Sequence, residues 1–324
     1  MRTTVRPAAL PTAGHPAPTG RRSRRVAIVA LATVAAVVVA ASMLYGRQAW
    51  SMLTHRKGAP TQTWPVQPFE PNARPLVRIA AVGDVGEGEE EEWQTAWAID
   101  HLSFDDARYD ALLLLGDNVY PDGDPARLEY TVFRPFTIVL EAGTKLLAIV
   151  GNHDAGYADE QASRLGMPGT WWTTTIGDVR IIGLDSNRIE DPAQLGFLEE
   201  TLRNADEPWT IVAIHEPPYS SGYQGSNLAV RDRFGPLFAR YGVQLVLSGH
   251  EHDFQRTVPI DGVTYIVSGA GGRTRGTGEA PFTAASWAVL HLVDVNVYAD
   301  HMLVRAIDQD GRAFDEVTIP LDAG

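Results

Sequence analysis

The sequence predicts an α/β protein, a four-layer α/β/β/α sandwich in which two β-sheets pack face to face with helices outside. Three observations lead there. Five short apolar runs each stop at a glycine or a polar residue, and helical patterns fall between several of them. The C-terminal part of the chain then reads as strand after strand with almost no helix.

The elements follow in order. Leu76 to Val82 ends in Gly83-Asp84-Val85-Gly86, Ala111 to Leu115 in Gly116-Asp117-Asn118-Val119-Tyr120, and Leu146 to Val150 in Gly151-Asn152-His153-Asp154. Thr210 to Ile214 ends in His215, and Val243 to Ser248 in Gly249-His250-Glu251-His252. Short apolar runs bounded by turns are buried strands. Glu89 to Leu102 is a helix. Asp191-Pro192 supplies a cap and a first-turn proline for a second, with Leu195, Leu198 and Leu202 on one face. Arg231 to Tyr241 is a third, stopped by Gly242. Alternating strands and helices make a largely parallel, covered sheet, whose ligands sit at the carboxyl ends of its strands. The polar groups after the five runs all lie at strand ends, so they can converge. Val263 to Ser268, Ala288 to Val295 and Met302 to Ile307 are strand-like, with turns at Ala299-Asp300 and Asp310-Gly311. They are expected as antiparallel strands of a second sheet packed on the first.

Three segments precede this body of residues 76–324. Residues 1–25 form a basic tail. Val26 to Tyr45 is a run of 20 residues without a charge. A helix of that length spans roughly 30 Å, the hydrocarbon thickness of a bilayer. Arg21, Arg22, Arg24 and Arg25 precede the run, which places the N-terminus in the cytoplasm and the body outside it. The run therefore reads as a single-pass signal-anchor in the cell membrane. The alternative is a signal peptide cut near Ala40-Ala41-Ser42, releasing a secreted body, although the apolar core of such peptides is usually only about 7–15 residues. Ser23-Arg24-Arg25-Val26-Ala27-Ile28 also partly matches a twin-arginine export signal. Residues 46–75, with Pro60, Pro65, Pro68, Pro71 and Pro75, read as an extended linker.

Composition narrows the function. The chain of 324 residues has no cysteine, which excludes disulfides, cysteine-ligated zinc, iron–sulfur clusters and thiol nucleophiles. Its net charge of −13 hides an asymmetry. Residues 1–60 hold nine Lys/Arg and no Asp/Glu; the remainder holds 18 basic against 40 acidic residues, a net −22. An acidic body argues against nucleic-acid binding, which needs a basic footprint. If it binds phosphate, something other than Lys and Arg supplies the positive charge.

Singly, each strand-end motif has an ordinary explanation. Gly-Asp and Gly-Asn are good turn formers, and His215 at a strand end could be a satisfied core histidine. His250-Glu251-His252 is the strongest, because histidines two apart after a glycine often bind metal. Together the five are hard to explain as turns. Asp84, Asp117 and Tyr120 are hard oxygen donors suited to a highly charged metal, whereas Asn152, His215 and His250 suit Fe²⁺, Zn²⁺ or Mn²⁺. Two metals about 3.5–4 Å apart form a phosphoester-cleaving device.

From about Val77 to Gly276 the sequence resembles the calcineurin-like metallophosphoesterase superfamily. Within it, the body resembles the small purple acid phosphatases of the tartrate-resistant type. The first motif is Asp84-Val85-Gly86, where many members have Asp-x-His, and Tyr120 stands three residues after Asp117. Purple acid phosphatases make that exchange. The resemblance implies that Asp84, Asp117, Tyr120 and His252 hold Fe³⁺. It implies that Asp117, Asn152, His215 and His250 hold a second ion, Fe²⁺, Zn²⁺ or Mn²⁺, with Asp117 bridging. His153 would contact phosphate and protonate the leaving group, while a hydroxide activated by the metals attacks phosphorus. The substrate would be a small phosphate monoester, with no protein partner implied. One departure stands out. The family usually has a further histidine nine or ten residues after the His215 position, where this chain has Gln224 and Gly225.

Two other readings stay open: a phosphodiesterase or nucleotide pyrophosphatase with the same metals, and a non-catalytic membrane-tethered binding protein. Glu87 and Glu89 to Glu92 read as a solvated acidic helix start or as an acidic rim repelling highly charged substrates. Arg273 and Arg275, in a Gly-rich loop, read as plain surface or as groups approaching phosphate. His101, His291 and His301 carry no separate signal.

Overall fold

The computed structural model describes residues 58–67, 69, 73–103 and 108–321. The basic tail, the apolar run 26–45 and residues 46–57 of the linker lie outside the described residues, and so do the expectations placed on them. Among the described residues no helix is long and apolar enough to cross a membrane.

Two seven-stranded sheets form the body. The first contains β1 (Trp64–Pro65), β2 (Val77–Val82), β3 (Ala111–Leu115) and β4 (Lys145–Ile149), joined by β12 (His291–Val297), β13 (His301–Asp308) and β14 (Arg312–Pro320). Its order is β1-β14-β13-β12-β2-β3-β4. The second contains β5 (Trp172–Ile176), β6 (Val179–Leu184), β7 (Trp209–Ile214), β8 (Leu245–Ser248), β9 (Phe254–Thr257), β10 (Thr264–Ser268) and β11 (Thr283–Trp287), in the order β11-β9-β10-β8-β7-β6-β5. Strands β2, β3 and β4 are mutually parallel, and so are β6, β7, β8 and β10.

Two expectations are corrected here. The motif-bearing strands are not in one sheet: β2, β3 and β4 lie in the first, β7 and β8 in the second. Of the three C-terminal strands expected to be antiparallel in the second sheet, the two that became β12 and β13 are antiparallel but extend the first sheet together with β14, whereas Val263 to Ser268 became β10, which lies in the second sheet and runs parallel to β8. The physical reason is edge closure. The parallel set β2-β3-β4 leaves the other edge of β2 with unpaired backbone, and β12 covers it in the register Val293↔Ala81 to Val297↔Val77. A buried ion pair, Arg78 Nε to Asp294 Oδ1 at 2.9 Å, joins the same two strands. Within the stretch read as a linker, β1 pairs with β14, and Arg312 donates to Thr63 Oγ1 at 2.7 Å and to the Thr63 carbonyl at 3.0 Å.

The core follows from strand alternation. One face of each sheet, including Ile79, Leu113 and Ile149 from the first and Ile181, Ile211 and Leu247 from the second, forms a shared apolar layer between the sheets. The opposite face of the first sheet packs Ala80, Leu112 and Leu114 with Ala96, Ile99 and Leu102 of helix α1 (Glu90–Leu102), and with Val139 of α2 (Thr137–Glu141). Helix α3 (Ala158–Arg164) follows β4. The outer face of the second sheet packs Ile182, Val212 and Val246 against Leu198 and Leu202 of α4 (Pro192–Arg203), and Phe234 and Phe238 of α5 (Leu228–Arg240).

Caps explain the helix starts. The Asp191 carboxylate accepts from Ala193 N ahead of Pro192, as the sequence predicts. Helix α5 begins three residues before the predicted Arg231, because the Asn227 side chain caps it by accepting from Val230 N.

The acidic run opening α1 is not uniformly solvated. Glu89, Glu90 and Glu91 are exposed, but Glu92 is fully buried and accepts from Gly88 N at 2.6 Å. Burial raises its pKa from an ordinary 4.5 to about 9, against the Gly88 hydrogen bond. The folded state therefore holds this proton across a range where the unfolded chain has lost it. Stability falls as pH rises through that window, from about 4.5 to about 9. Glu92→Gln is expected to flatten this slope, becoming more stable than the parent chain as pH approaches 9, as read by urea unfolding at several pH values. Identical slopes in the two proteins would refute the assignment.

Candidate metal centre

Three strands end in a glycine followed by a polar residue in the left-handed region. Asp84 after β2 has φ 57°, Asp117 after β3 has φ 52°, and His250 after β8 has φ 71°. They are three of the four non-glycine residues with positive φ among the described residues, so this strain is concentrated at one place. Tight packing holds it. A Cβ on Gly249 would lie 2.6 Å from Asp84 Oδ2, and one on Gly151 would overlap the Asp117 carboxylate. Only glycine lets the ends of strands from the two sheets approach this closely.

The side chains meet in two overlapping sets. In the first, Tyr120 Oη lies 2.9 Å from Asp84 Oδ1, 2.9 Å from Asp117 Oδ2 and 3.2 Å from His252 Nε2. His252 Nε2 is also 3.3 Å from Asp84 Oδ1. In the second, Asn152 Oδ1 lies 3.1 Å from His215 Nε2 and 2.8 Å from His250 Nδ1, and His215 Nε2 is 3.4 Å from Asp117 Oδ1. Asp117 thus presents Oδ2 to one set and Oδ1 to the other. All seven residues singled out in the sequence come together here.

The donor atoms fit cations. Ligands about 2.1 Å from a common centre at right angles stand about 3 Å from one another, close to the separations seen in both sets. One atom each of Asp84, Asp117 and His215 lies within 4.8 Å of the others. The electrostatics agree. Burial pulls the pKa of His215 down, but the Asp117 and Asp84 carboxylates outweigh it and raise the value to about 10. A fully buried imidazole is thus driven to carry positive charge. Burial pushes Asp117 up, yet the same His215, with the His153 backbone, holds its carboxyl well below the usual range. Tyr120 is pushed far up by burial and by the two carboxylates, so only a strong positive charge could make it a phenolate. His250 is lowered to about 4 by burial and by His215, which keeps a lone pair free.

His153 is placed by the same loop. Its backbone N–H donates to Asp117 Oδ1 at 2.9 Å, and Nδ1 lies 2.7 Å from the Pro121 carbonyl. A carbonyl only accepts, so Nδ1 carries a proton and Nε2 is left for other work. The ring packs edge-on against Tyr120 at 4.6 Å.

Sequence reasoning missed the residues beneath the site. Asp154, fully buried, accepts from Gly151 N at 2.8 Å, Asn118 N at 3.1 Å, Val119 N at 3.2 Å and Gln161 Nε2 at 2.8 Å. It ties the Asn152-His153 turn to the Asp117–Tyr120 turn. Its one sequence signal was its position inside the Gly-Asn-His-Asp motif. Glu251 is also buried and accepts from the backbone of Gln224 and Gly225 at 2.6 Å each. The residues that replace the additional family histidine are thereby pinned by their backbone, and the Gln224 side chain donates to the His250 carbonyl at 3.2 Å. His291 lies in the core between Phe254 and Phe314.

The family model described as calcineurin-like phosphoesterase matches residues 77–254, more than half of the chain. Purple acid phosphatase 1 of Ipomoea batatas is 26% identical over 242 residues, covering 65% of this chain and 50% of that protein. The match therefore spans only half the length of that relative. Tartrate-resistant acid phosphatase type 5 of Homo sapiens is 29% identical over 241 residues, covering 61% of this chain and 74% of that one. Among solved structures, purple acid phosphatase PPD1 from seeds of yellow lupin (Lupinus luteus) superposes with a TM-score of 0.67 at 20% identity, over 76% of this chain and 54% of that chain. At that identity the superposition speaks for the fold alone.

Proposed function

We propose a hydrolytic role for this chain, which belongs to the calcineurin-like phosphoesterase family and to its purple acid phosphatase branch: it is a dinuclear-metal phosphomonoesterase working outside the cytoplasm. The observation that carries the reading is Asp117, whose two oxygens face two separate donor sets. Asp84, Asp117, Tyr120 and His252 would hold one ion, taken as Fe³⁺. Asp117, Asn152, His215 and His250 would hold the other, taken as Fe²⁺, Zn²⁺ or Mn²⁺. When bound, the pair supplies positive charge for phosphoryl oxygens and an acidified water as nucleophile.

The chain's own residues do the rest. His215 donates Nδ1–H to the Leu115 carbonyl at 2.8 Å, which turns Nε2 into the site. The Asp154 network holds the Asn152 and His153 turn against Asp117, so donor positions are set before substrate arrives. His153, anchored through Nδ1, aims Nε2 outward, and in its imidazolium form it can pass the second proton, carried on Nε2, to a departing alkoxide and return to the neutral Nδ1–H ring. The local positive site resolves the charge problem of an acidic body that handles phosphate. Residues 26–45 would tether the body to the membrane.

The test is hydrolysis by the full-length, metal-loaded protein. An aryl phosphate monoester is expected to turn over faster than the matching diester. Faster diester turnover would reassign the chain as a diesterase, and no turnover on either would leave a binding protein on this fold.

A further inference from the structure

Arg273 stands on the Gly-rich loop after β10. The loop is pressed against the end of β2: Gly271 N donates to the Gly83 carbonyl at 3.0 Å, and a Cβ on Gly269 would lie 2.7 Å from Asp84 Oδ2. Arg273 is therefore fixed beside the first donor set. Its Nε lies 2.9 Å from His252 Nδ1, its Nη1 lies 2.8 Å from Glu87 Oε1, and its guanidinium carbon sits 5.1 Å from the centre of the Tyr120 ring. The side chain is 45% exposed.

The direction of the bond to His252 is informative. An arginine Nε always donates, so His252 Nδ1 accepts and bears no proton. A histidine that ligates through Nε2 carries its proton on Nδ1 and donates it outward to a carbonyl, a carboxylate or water. His215 is arranged that way, with Nδ1 on the Leu115 carbonyl. His252 is not. If its Nε2 ligates, its Nδ1–H would face the Arg273 Nε–H, and two donors cannot share a bond. The guanidinium must then let go, while Nη1 can stay on Glu87 as a pivot. That frees one edge of a planar fork, already over Tyr120 at the border of the site, and such a fork matches two oxygens of a phosphate.

We propose that Arg273 is an additional phosphate-binding residue, held by His252 in the arrangement seen here and released when His252 ligates through Nε2. This rests on the dinuclear reading of the site and specifies its substrate as a dianionic monoester, which gains more from a guanidinium than a monoanionic diester does.

The experiment is calorimetric titration of inorganic phosphate into full-length, metal-loaded protein, with metal content measured alongside, for the parent chain, Arg273→Gln and Arg273→Lys. Arg273→Gln is expected to keep the parent's metal content and to bind phosphate about 10- to 100-fold more weakly, the loss expected for a charged hydrogen-bond donor. Arg273→Lys is expected to recover part of that loss. Unchanged phosphate affinity in Arg273→Gln overturns the proposal. So does a fall in its metal content, which would make Arg273 a support for His252 alone. A parent chain that binds phosphate but hydrolyses no ester would sink the hydrolase reading and leave the Arg273 result standing.

Discussion

Asp117→Asn is expected to lose metal and turnover together. The substitution keeps the size of the side chain and removes the charge that two donor sets share. Both carboxylate oxygens are engaged, Oδ2 beside Tyr120 and Oδ1 beside His215. An amide offers one weaker oxygen and turns an NH₂ toward the other set. Changes in groups that only support ligands cost about 10–100-fold in affinity or activity, so loss of a shared ligand should exceed about 100-fold in turnover. Metal analysis on the purified variant is the direct readout, with far-UV circular dichroism to show that the fold persists. Full metal content with parental turnover would remove Asp117 from the centre.

His153→Ala should behave in the opposite way. Its side chain contributes to neither donor set; what anchors it to Asp117 is its backbone N–H, which alanine retains. Metal content should therefore stay at the parental level. Turnover of an alkyl phosphate should fall by about 10²–10⁴, the usual contribution of a positioned general acid. An aryl phosphate with an acidic leaving group needs little proton assistance and should be slowed much less. Equal slowing of both substrates would mean that the ring binds phosphate without donating a proton. No slowing of the alkyl ester would remove His153 from the mechanism.

How far the sequence carries depends on the range of the interaction being read. Ala111–Leu115 is a strand with the predicted bounds because five apolar residues stop dead at Gly116-Asp117. Asp191-Pro192 starts a helix because its cap is local. The convergence of the seven donors was legible because each lies in the short turn that follows a strand, within five residues of its end. Sheet membership was not, since β12 is apolar and alternating in the way either sheet would accept. The hairpin of β5 and β6 escaped because its first strand, Trp172–Ile176, is threonine-rich and only partly buried. Glu92 looked like its exposed neighbours, and its burial comes from the packing of α1 as a whole. Arg273 was ambiguous for a similar reason. Nothing near it in the chain names His252, Glu87 or Tyr120 as its neighbours.

The two-sheet origin of the centre has a consequence in time. The donors run from Asp84 to His252 along the chain, and their sets interleave: Asp84 waits for His252, and Asn152 for His215 and His250. During synthesis from the N-terminus, a nascent chain ending before His250 has neither set complete. On the dinuclear reading, loading would therefore be a late event that follows production of both halves of the body. Once in place, a pair of ions would rivet segments separated by well over a hundred residues. A chain truncated before β8 would have the aspartates and no place to put the metals.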